Sequence, residues 1–238
     1  MRPKATSRFA KKKPARRRWL RTLLLIAFGL IVGLYACCAL GLVFLKWVDP
    51  FTTAVQAERR MDSLLHHYPY HKRYVFVPLR QISPELQHAV IAAEDERFRE
   101  HAGIDWIELK KVVEKDLDSG KLGRGGSTIT QQLVKNLFLS TKRSMIRKGI
   151  EFTLVPMTEK ILGKDRILEL YLNVIEWGSG IFGAEAAAQA YYKIPAARVS
   201  REQAARLAAC IPAPMKRRPA QMGNYAELIQ IRMRQMGW

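Results

Sequence analysis

The sequence predicts a mainly α-helical protein with one membrane-spanning helix near its N-terminus. Residues 22–45 contain no charged side chain, and after residue 50 most apolar residues recur every three or four positions, as in amphipathic helices. The chain has 238 residues, 48% of them hydrophobic, which suits one folded domain with an appendage and excludes a disordered chain. Its 3 cysteines are too few for a disulfide-stapled secreted domain.

The N-terminal part of the chain has the charge pattern of a membrane anchor. The net charge of the chain is +19, and ten of its 40 Lys and Arg residues lie in residues 1–21, which contain no acidic residue. The apolar run that follows would reach roughly 36 Å as a helix, enough to cross a hydrocarbon core of about 30 Å. Positive charge marks the cytoplasmic side. We therefore expect a cytoplasmic arm (1–21), a transmembrane helix (22–45) and an extracytoplasmic domain (50–238).

Two alternatives for this segment are less consistent with the sequence. A cleaved signal peptide has an apolar region of roughly 7 to 15 residues, and the run from 22 to 45 is much longer. A nucleic-acid-binding patch would also be basic, but a basic stretch next to a span is explained by topology and by attraction to anionic headgroups. We expect a membrane and no nucleic acid as partner.

The segment from residue 81 to 101 is predicted to form one helix that carries a carboxylate on its apolar side. Ser83 followed by Pro84 is a strong helix start, since Ser caps the first turn and Pro suits the first helical position. The residues that recur every four positions are Leu86, Val90, Glu94 and Phe98. Burial would raise the pKa of Glu94, which suits a general acid or base. The alternative is a half-buried glutamate paired with a nearby Arg or Lys.

A glycine-rich stretch next opens into a helix that we expect Ser127 to cap. Hydroxyl, amide and ammonium groups share one face of this helix, on Thr128, Gln131, Gln132 and Lys135. A glycine-rich entry to a helix N-terminus with a lysine nearby suits a phosphate or pyrophosphate. The order of residues differs from that of a nucleotide-binding P-loop. The alternative is a flexible loop before an ordinary capped helix.

Basic residues then accumulate on the following segment. Arg143 and Arg147 are one helical turn apart, as are Arg147 and Glu151, and Lys142 and Lys148 lie beside them. Cations in such a row repel each other unless an acid or an anionic ligand neutralises them. The alternative is a solvated basic face with one intrahelical ion pair.

Two later helices, KDRILELYLNVIEW and SREQAARLAACI, are interpreted as scaffold. Ser200 and Gln203 form a capping box at the start of an alanine-rich helix. Residues 106–121 alternate apolar side chains with lysines, so they either form a second membrane contact or pack on the core.

Five blocks of the chain follow one another in this order: AAEDERFREHAGID, GRGGSTITQQ, KRSMIRKGIE, KDRILELYLNVIEWG and AARLAACIPAP. In order and spacing they closely resemble the signature motifs of the peptidoglycan glycosyltransferases, the lysozyme-like family 51 enzymes that polymerise lipid II. The resemblance covers roughly residues 75–220 and implies a lysozyme-like helical glycosyltransferase domain. With no S-x-x-K or K-T-G element in the chain, it resembles the monofunctional enzymes without a transpeptidase domain.

The resemblance assigns roles to residues of this chain. It implies that Glu94 is the general base of an inverting transfer and that Glu151 is a second acid with a positional or electrostatic role. Lys135 and Arg143 match the positions that hold the pyrophosphate, and Arg147 and Lys148 belong to the same block as Glu151. The residues that match the motif lining the cleft are Ser127, Thr128, Thr130, Gln131 and Gln132.

The resemblance also implies the partners and the location. The substrates are lipid II and the growing lipid-linked glycan, the location is the bacterial cytoplasmic membrane with the N-terminus inside, and cell-division or elongation proteins are candidate partners. A divalent cation (Mg²⁺ or Mn²⁺) on the pyrophosphate is compatible with the family, but no metal-ligand cluster is apparent in the sequence. The alternatives are a membrane-anchored lysozyme-like muramidase and a non-catalytic scaffold that binds glycan or lipid.

Overall fold

The computed structural model describes residues 16–119, 126–142 and 144–238. The chain divides into two compact units, residues 1–40 and 41–238. Within the described residues the helices are α1 (Arg16–Leu45), α2 (Ala54–His66), α3 (Pro84–Glu94), α4 (Trp106–Ser119), α5 (Ile129–Phe138), α6 (Met145–Leu162), α7 (Lys164–Val174), α8 (Ala184–Tyr192), α9 (Arg201–Ala208) and α10 (Gly223–Gln235). The mainly α-helical prediction is confirmed.

Helix α1 has the length and composition of a membrane span. Its apolar stretch, Trp19–Leu45, comprises 27 residues, about 40 Å of helix at 1.5 Å per residue. Most of its large apolar side chains are exposed, as expected of a surface that contacts lipid. By its length and composition, the predicted apolar helix that could span a membrane is confirmed.

The core of the second unit is built by helices that carry the predicted apolar stripes. Helix α3 packs against α9 and α10, and α5 packs against α6 and α7. Leu86, Val90, Leu133 and Ile167 are fully buried among them. Hydrogen bonds join the C-terminal end of α3 to α5, among them one from Gln132 to Glu94, and the candidate site lies there.

The predicted start of α3 is confirmed, but the prediction of one helix from 81 to 101 is wrong. Ser83 caps the helix by accepting a hydrogen bond from the backbone N of Leu86 at 3.3 Å, and Pro84 is the first helical residue. The helix ends at Glu94, and turns follow it. Asp95 leaves the helical conformation because its carboxylate is bonded to other parts of the chain, as described below.

A small three-stranded sheet was not predicted. Its order is β1 (Arg73–Tyr74), β3 (Ile181–Phe182), β2 (Glu176–Gly178), with β1 parallel and β2 antiparallel to β3. Buried Glu176 accepts a hydrogen bond from Arg59 at 3.0 Å, which ties β2 to α2. Strands of two or three residues are too short to show an alternating pattern in a sequence.

Candidate active site

A cleft of about 710 Å³ opens at the C-terminal end of α3. Three parts of the chain line it: the end of α3 with the turn after it, the start of α4 with the entry to α5, and a C-terminal segment. The lining residues include Glu94, Asp95, Glu96 and Arg97; Asp105, Glu108 and Lys111; Gly126, Ser127, Thr128, Gln132 and Lys135; and Pro212, Arg217, Tyr225 and Arg232.

Glu94 lies at the base of the cleft and is oriented by a chain of two hydrogen bonds. Nε2 of Gln132 donates to its Oε2 at 2.6 Å, and the hydroxyl of Tyr171 donates to Oε1 of Gln132 at 3.0 Å. Burial raises the pKa of Glu94, while the Gln132 hydrogen bond and the charge of Lys135 act in the opposite direction. The result is a fixed carboxylate with a raised pKa that still faces the cleft.

Asp95, the next residue, connects the end of α3 to α5 and to the turn that follows α3. Its Oδ2 accepts the backbone N–H of Ile129 at 3.0 Å, at the start of α5, and its Oδ1 is 2.8 Å from Nε2 of His101. The backbone N–H of Gly103 donates to Nδ1 of His101 at 3.0 Å, which places the ring hydrogen on Nε2. Asp95 therefore fixes α5 relative to the end of α3, and with it Gln132 relative to Glu94.

Asp95, His101 and Asp105 are close enough together to be considered as a metal site. Their ligand atoms are already occupied within the protein. Oδ1 of Asp105 accepts the backbone N–H groups of Ile107 and Glu108 at 3.0 and 2.9 Å, so it caps α4. Since the three side chains are held in hydrogen bonds, this group does not fit a divalent cation, and we derive no catalytic step through one.

A cluster of opposite charges lies beside the entry to α5. The Glu151 carboxylate is buried and accepts a hydrogen bond from Nη1 of Arg147 at 2.7 Å and another from Nζ of Lys148. Nζ of Lys148 also lies 3.1 Å from Oγ of Ser127 in the cleft lining. Burial lowers the pKa of Lys135, while the charge of Glu151 raises it. The cluster is therefore connected to the cleft through both Ser127 and Lys135.

The structure brings together most of the residues that the sequence indicated. Glu94, Ser127, Thr128, Gln132 and Lys135 line the cleft, and Arg147, Lys148 and Glu151 form the cluster beside it. Arg143 lies outside the described residues.

Three details of the predicted α5 entry need correction. Thr128, not Ser127, caps the helix, in a capping box with Gln131. Gln131 is buried by this role and is not part of the cleft lining. Thr130 is fully buried and donates to Oε1 of Glu159 at 2.6 Å, so it too is separated from the cleft.

The residues of the lining that follow the block AARLAACIPAP were not predicted. These residues are Arg217, Tyr225 and Arg232, and they follow α9. Arg232 lies 3.4 Å from both the backbone oxygen of Ala92 and Oε1 of Glu96, which fixes α10 against the end of α3. The run of basic residues from 216 to 218 was the available signal, but no spacing related it to Glu94.

The family model described as "Transglycosylase" matches residues 61–236, which include every described part of the cleft. The chain belongs to the transglycosylase family. The resemblance noted in the sequence is thereby confirmed, and with it the lysozyme-like fold of a peptidoglycan glycosyltransferase. The transglycosylase match includes the second half of α2 and all of α3 to α10.

Several relatives named "Biosynthetic peptidoglycan transglycosylase" cover most of the chain. The protein of Laribacter hongkongensis is 47% identical over 173 residues, covering 73% of this chain and 76% of its own length. That of Herminiimonas arsenicoxydans is 45% identical over 221 residues, covering 90% and 94%. That of Dechloromonas aromatica is 44% identical over 221 residues, covering 91% and 95%. At this level of identity to these relatives, the chain is an enzyme of peptidoglycan synthesis.

Proposed function

We propose that the protein polymerises lipid II into linear glycan strands by inverting glycosyl transfer, with release of undecaprenyl pyrophosphate. The observation that carries this proposal is the arrangement of Glu94, Gln132 and Lys135 in one cleft. Gln132 and Lys135 are three residues apart on α5, so they share a face of the helix. One helix therefore holds the carboxylate in place and presents a cation next to it.

Glu94 is the general base in this mechanism. Its carboxylate takes the proton from the 4-hydroxyl of the acceptor saccharide as that oxygen attacks the anomeric carbon of the donor. Because Gln132 occupies Oε2, the proton goes to Oε1. A pKa raised by burial makes Glu94 a stronger base than an exposed glutamate.

The basic residues stabilise the leaving group. As the bond to the anomeric carbon breaks, negative charge develops on the pyrophosphate, and Lys135 and Arg143 neutralise it. Arg147 and Lys148 extend this cationic surface and are held in position by Glu151. Since both cations bind the Glu151 carboxylate, we assign Glu151 a positioning role and no covalent step.

We further propose that the domain acts on the outer face of the bacterial cytoplasmic membrane. Residues 1–21 lie in the cytoplasm, 22–45 span the bilayer and 50–238 lie outside, as the positive charge of the arm favours. Both substrates carry long lipids, so the tether keeps the cleft at the surface where they are found. Helix α4 supports a second membrane contact because its exposed side chains include Trp106, Ile107, Val113 and Leu117.

The test is synthesis of glycan polymer from purified lipid II by the detergent-solubilised full chain. We expect polymer and released undecaprenyl pyrophosphate from the wild type, and loss of turnover in Glu94→Gln and Lys135→Ala. Two exposed residues provide matched controls, Glu100→Gln and Lys160→Ala, which should retain wild-type activity. Cleavage of preformed peptidoglycan without polymer formation would overturn the proposal in favour of a muramidase. Full activity of folded Glu94→Gln would overturn the assignment of the base.

A further inference from the structure

The charged residues that line the cleft are mostly paired with each other or with neighbours. Arg232 pairs with Glu96, Lys111 with Glu108, and Arg97 with Asp105. Asp95 is held by hydrogen bonds to His101 and to the backbone of Ile129. Apart from Asp95, three charged residues among the described side chains of the lining have no ion-pair partner: Glu94, Lys135 and Arg217. Glu94 and Lys135 already have roles in the proposed transfer, so Arg217 is a cation without one.

Arg217 is held firmly in the cleft wall. Its Nη1 donates to the backbone oxygen of Ala209 at 2.7 Å, at the end of α9. Its guanidinium carbon lies 5.3 Å from the centre of the Tyr225 ring, on the first turn of α10. Within the described residues, Ala209 is the only hydrogen-bond acceptor of this guanidinium, so other N–H groups are available to a ligand.

Arg217 and Lys135 act on Glu94 from different parts of the chain. Both positive charges favour the ionised carboxylate, which places both within electrostatic reach of it. Lys135 approaches the cleft from α5, whereas Arg217 approaches from the segment between α9 and α10. Two cations from separate parts of the chain therefore act electrostatically on the Glu94 carboxylate.

We propose that Arg217 binds an oxyanion of the acceptor substrate. This inference rests on the proposed function, and it assigns the second cation to the second substrate. In an inverting displacement the attacking oxygen and the leaving group lie on opposite sides of the anomeric carbon. The cations on and near α5 are assigned to the leaving pyrophosphate, so a cation that reaches Glu94 from another wall belongs beside the attacking saccharide.

Arginine suits this role because a fixed guanidinium forms charge-assisted hydrogen bonds with planar or tetrahedral oxyanions. A lipid-linked acceptor offers two kinds of oxyanion, the pyrophosphate and the carboxylates of its peptide. Both share the chemistry that Arg217 recognises, and the experiment separates them.

The test measures a single coupling step between two substrates that cannot exchange roles. The donor is a lipid II analogue without the 4-hydroxyl, so it cannot attack. The acceptor is an analogue with a non-cleavable methylene in place of the anomeric oxygen, so it cannot lose pyrophosphate. Tetrasaccharide formation by the full chain is followed while one analogue is varied and the other is saturating.

We expect Arg217→Gln to raise the KM of the acceptor by roughly tenfold or more, the loss typical of a charge-assisted hydrogen bond, with little change in the KM of the donor. Arg217→Lys keeps the charge and should recover part of the loss. The control is Arg218→Gln, because Arg218 is exposed and its side chain contacts only backbone oxygens among the described residues. This variant should behave as the wild type.

Two further acceptors identify the oxyanion. If the carboxylates are bound, an acceptor with amidated carboxylates has the same KM with the wild type and Arg217→Gln. If the pyrophosphate is bound, an acceptor whose pyrophosphate is replaced by a neutral linker has the same KM with the wild type and Arg217→Gln. An unchanged acceptor KM in Arg217→Gln, or an equal rise for the donor, would overturn the inference. If the wild type neither couples the analogues nor polymerises lipid II, the result refutes the proposed function instead.

Discussion

Oε1 of Gln132 accepts a hydrogen bond from Tyr171, and this bond determines which end of the amide faces Glu94. If the amide were reversed, its oxygen would face the carboxylate and its N–H₂ would face the hydroxyl. Tyr171 is fully buried on α7, and burial raises its pKa well above the ordinary value, so it remains a donor. A residue that no substrate touches thus controls the orientation of the base.

Replacement of this hydroxyl should change the pH dependence of the reaction. In Tyr171→Phe the Gln132 amide loses its fixed orientation, the Glu94 carboxylate loses a donor, and the pKa of Glu94 rises further. Since Glu94 acts as a base, the acidic limb of kcat/KM against pH should move to higher pH. The control is Tyr191→Phe, which loses a hydrogen bond to the backbone oxygen of Trp177 instead and should leave this limb in place. An unchanged limb in Tyr171→Phe would contradict the relay.

The raised pKa of Glu94 predicts that its buried carboxylate lowers the free energy of unfolding and that replacing this carboxylate removes the loss. Where the native pKa is raised, the folded state holds a proton that the unfolded state has already released, so stability falls as pH rises through this window. Glu94→Gln carries no such penalty. Its Tm should therefore equal or exceed that of the wild type at neutral pH, and the difference should disappear at pH values where glutamate is protonated in both states.

Thermal unfolding of both proteins across this pH range checks the prediction. Glu100→Gln removes an exposed carboxylate six positions away and should follow the wild-type curve. A Tm of Glu94→Gln well below that of the wild type at neutral pH would mean that Glu94 contributes to stability, contrary to its burial.

Glu151 should matter for both stability and donor binding. Glu151→Gln leaves Arg147 and Lys148 without their shared carboxylate, so we expect a loss of about 1–3 kcal/mol in the free energy of unfolding. The same change should raise the KM of the donor, because Glu151 no longer fixes the two cations, of which Lys148 lies beside Ser127. Glu202→Gln, which removes the exposed partner of Arg206, should cost less than about 1 kcal/mol.

Gly103 is predicted to be a position where alanine is not tolerated. Its φ is +90°, and a Cβ atom there would collide with Val155 and lie 2.8 Å from Cγ of Glu159. Its backbone oxygen also accepts the hydroxyl of Thr128, the cap of α5, at 2.5 Å. Gly103→Ala should lower the free energy of unfolding by about 1–3 kcal/mol.

Gly149 is the matched control for this substitution. It lies inside α6, and nothing approaches its Cβ position within 4 Å. Gly149→Ala should therefore stabilise the protein by about 0.5–1 kcal/mol, because alanine is the better helix former. Chemical denaturation of the two variants measures both effects, and equal stabilities would contradict the steric argument.

The local parts of the fold could be predicted from the sequence. The caps at Ser83 and Ser200 depend on a few adjacent residues and were predicted correctly. The end of α3 could not be predicted, since Asp95 leaves the helix through bonds to Ile129 and His101, and Ile129 is 34 residues away. The cap of α5 was misplaced by one residue because Ser127 and Thr128 are both good caps, and the side chain of Gln131 decides between them.

The candidate site was predictable where motifs mark it and not elsewhere. Glu94 was found because it interrupts an apolar stripe, and Lys135 because it lies on the face that α5 presents to the cleft. Arg217 belongs to a segment without periodic structure, and its position depends on how α9 and α10 pack. The sequence likewise could not show that Tyr171, in a helix interpreted as scaffold, orients the base.

The parallel pairing of β1 with β3 has a consequence for the order of folding. It joins Arg73 to Ile181, so β1 has to wait until the chain has extended by more than a hundred residues. Such distant contacts form slowly, whereas helices α5, α6 and α7 are consecutive in the chain and pack on each other, so they can form from nearby contacts. We expect the amides of α5 to α7 to gain protection from hydrogen exchange before those of β1 during refolding. A nascent chain would then possess the helix that carries Gln132 and Lys135 well before it possesses Arg217 and the cleft wall that completes the site.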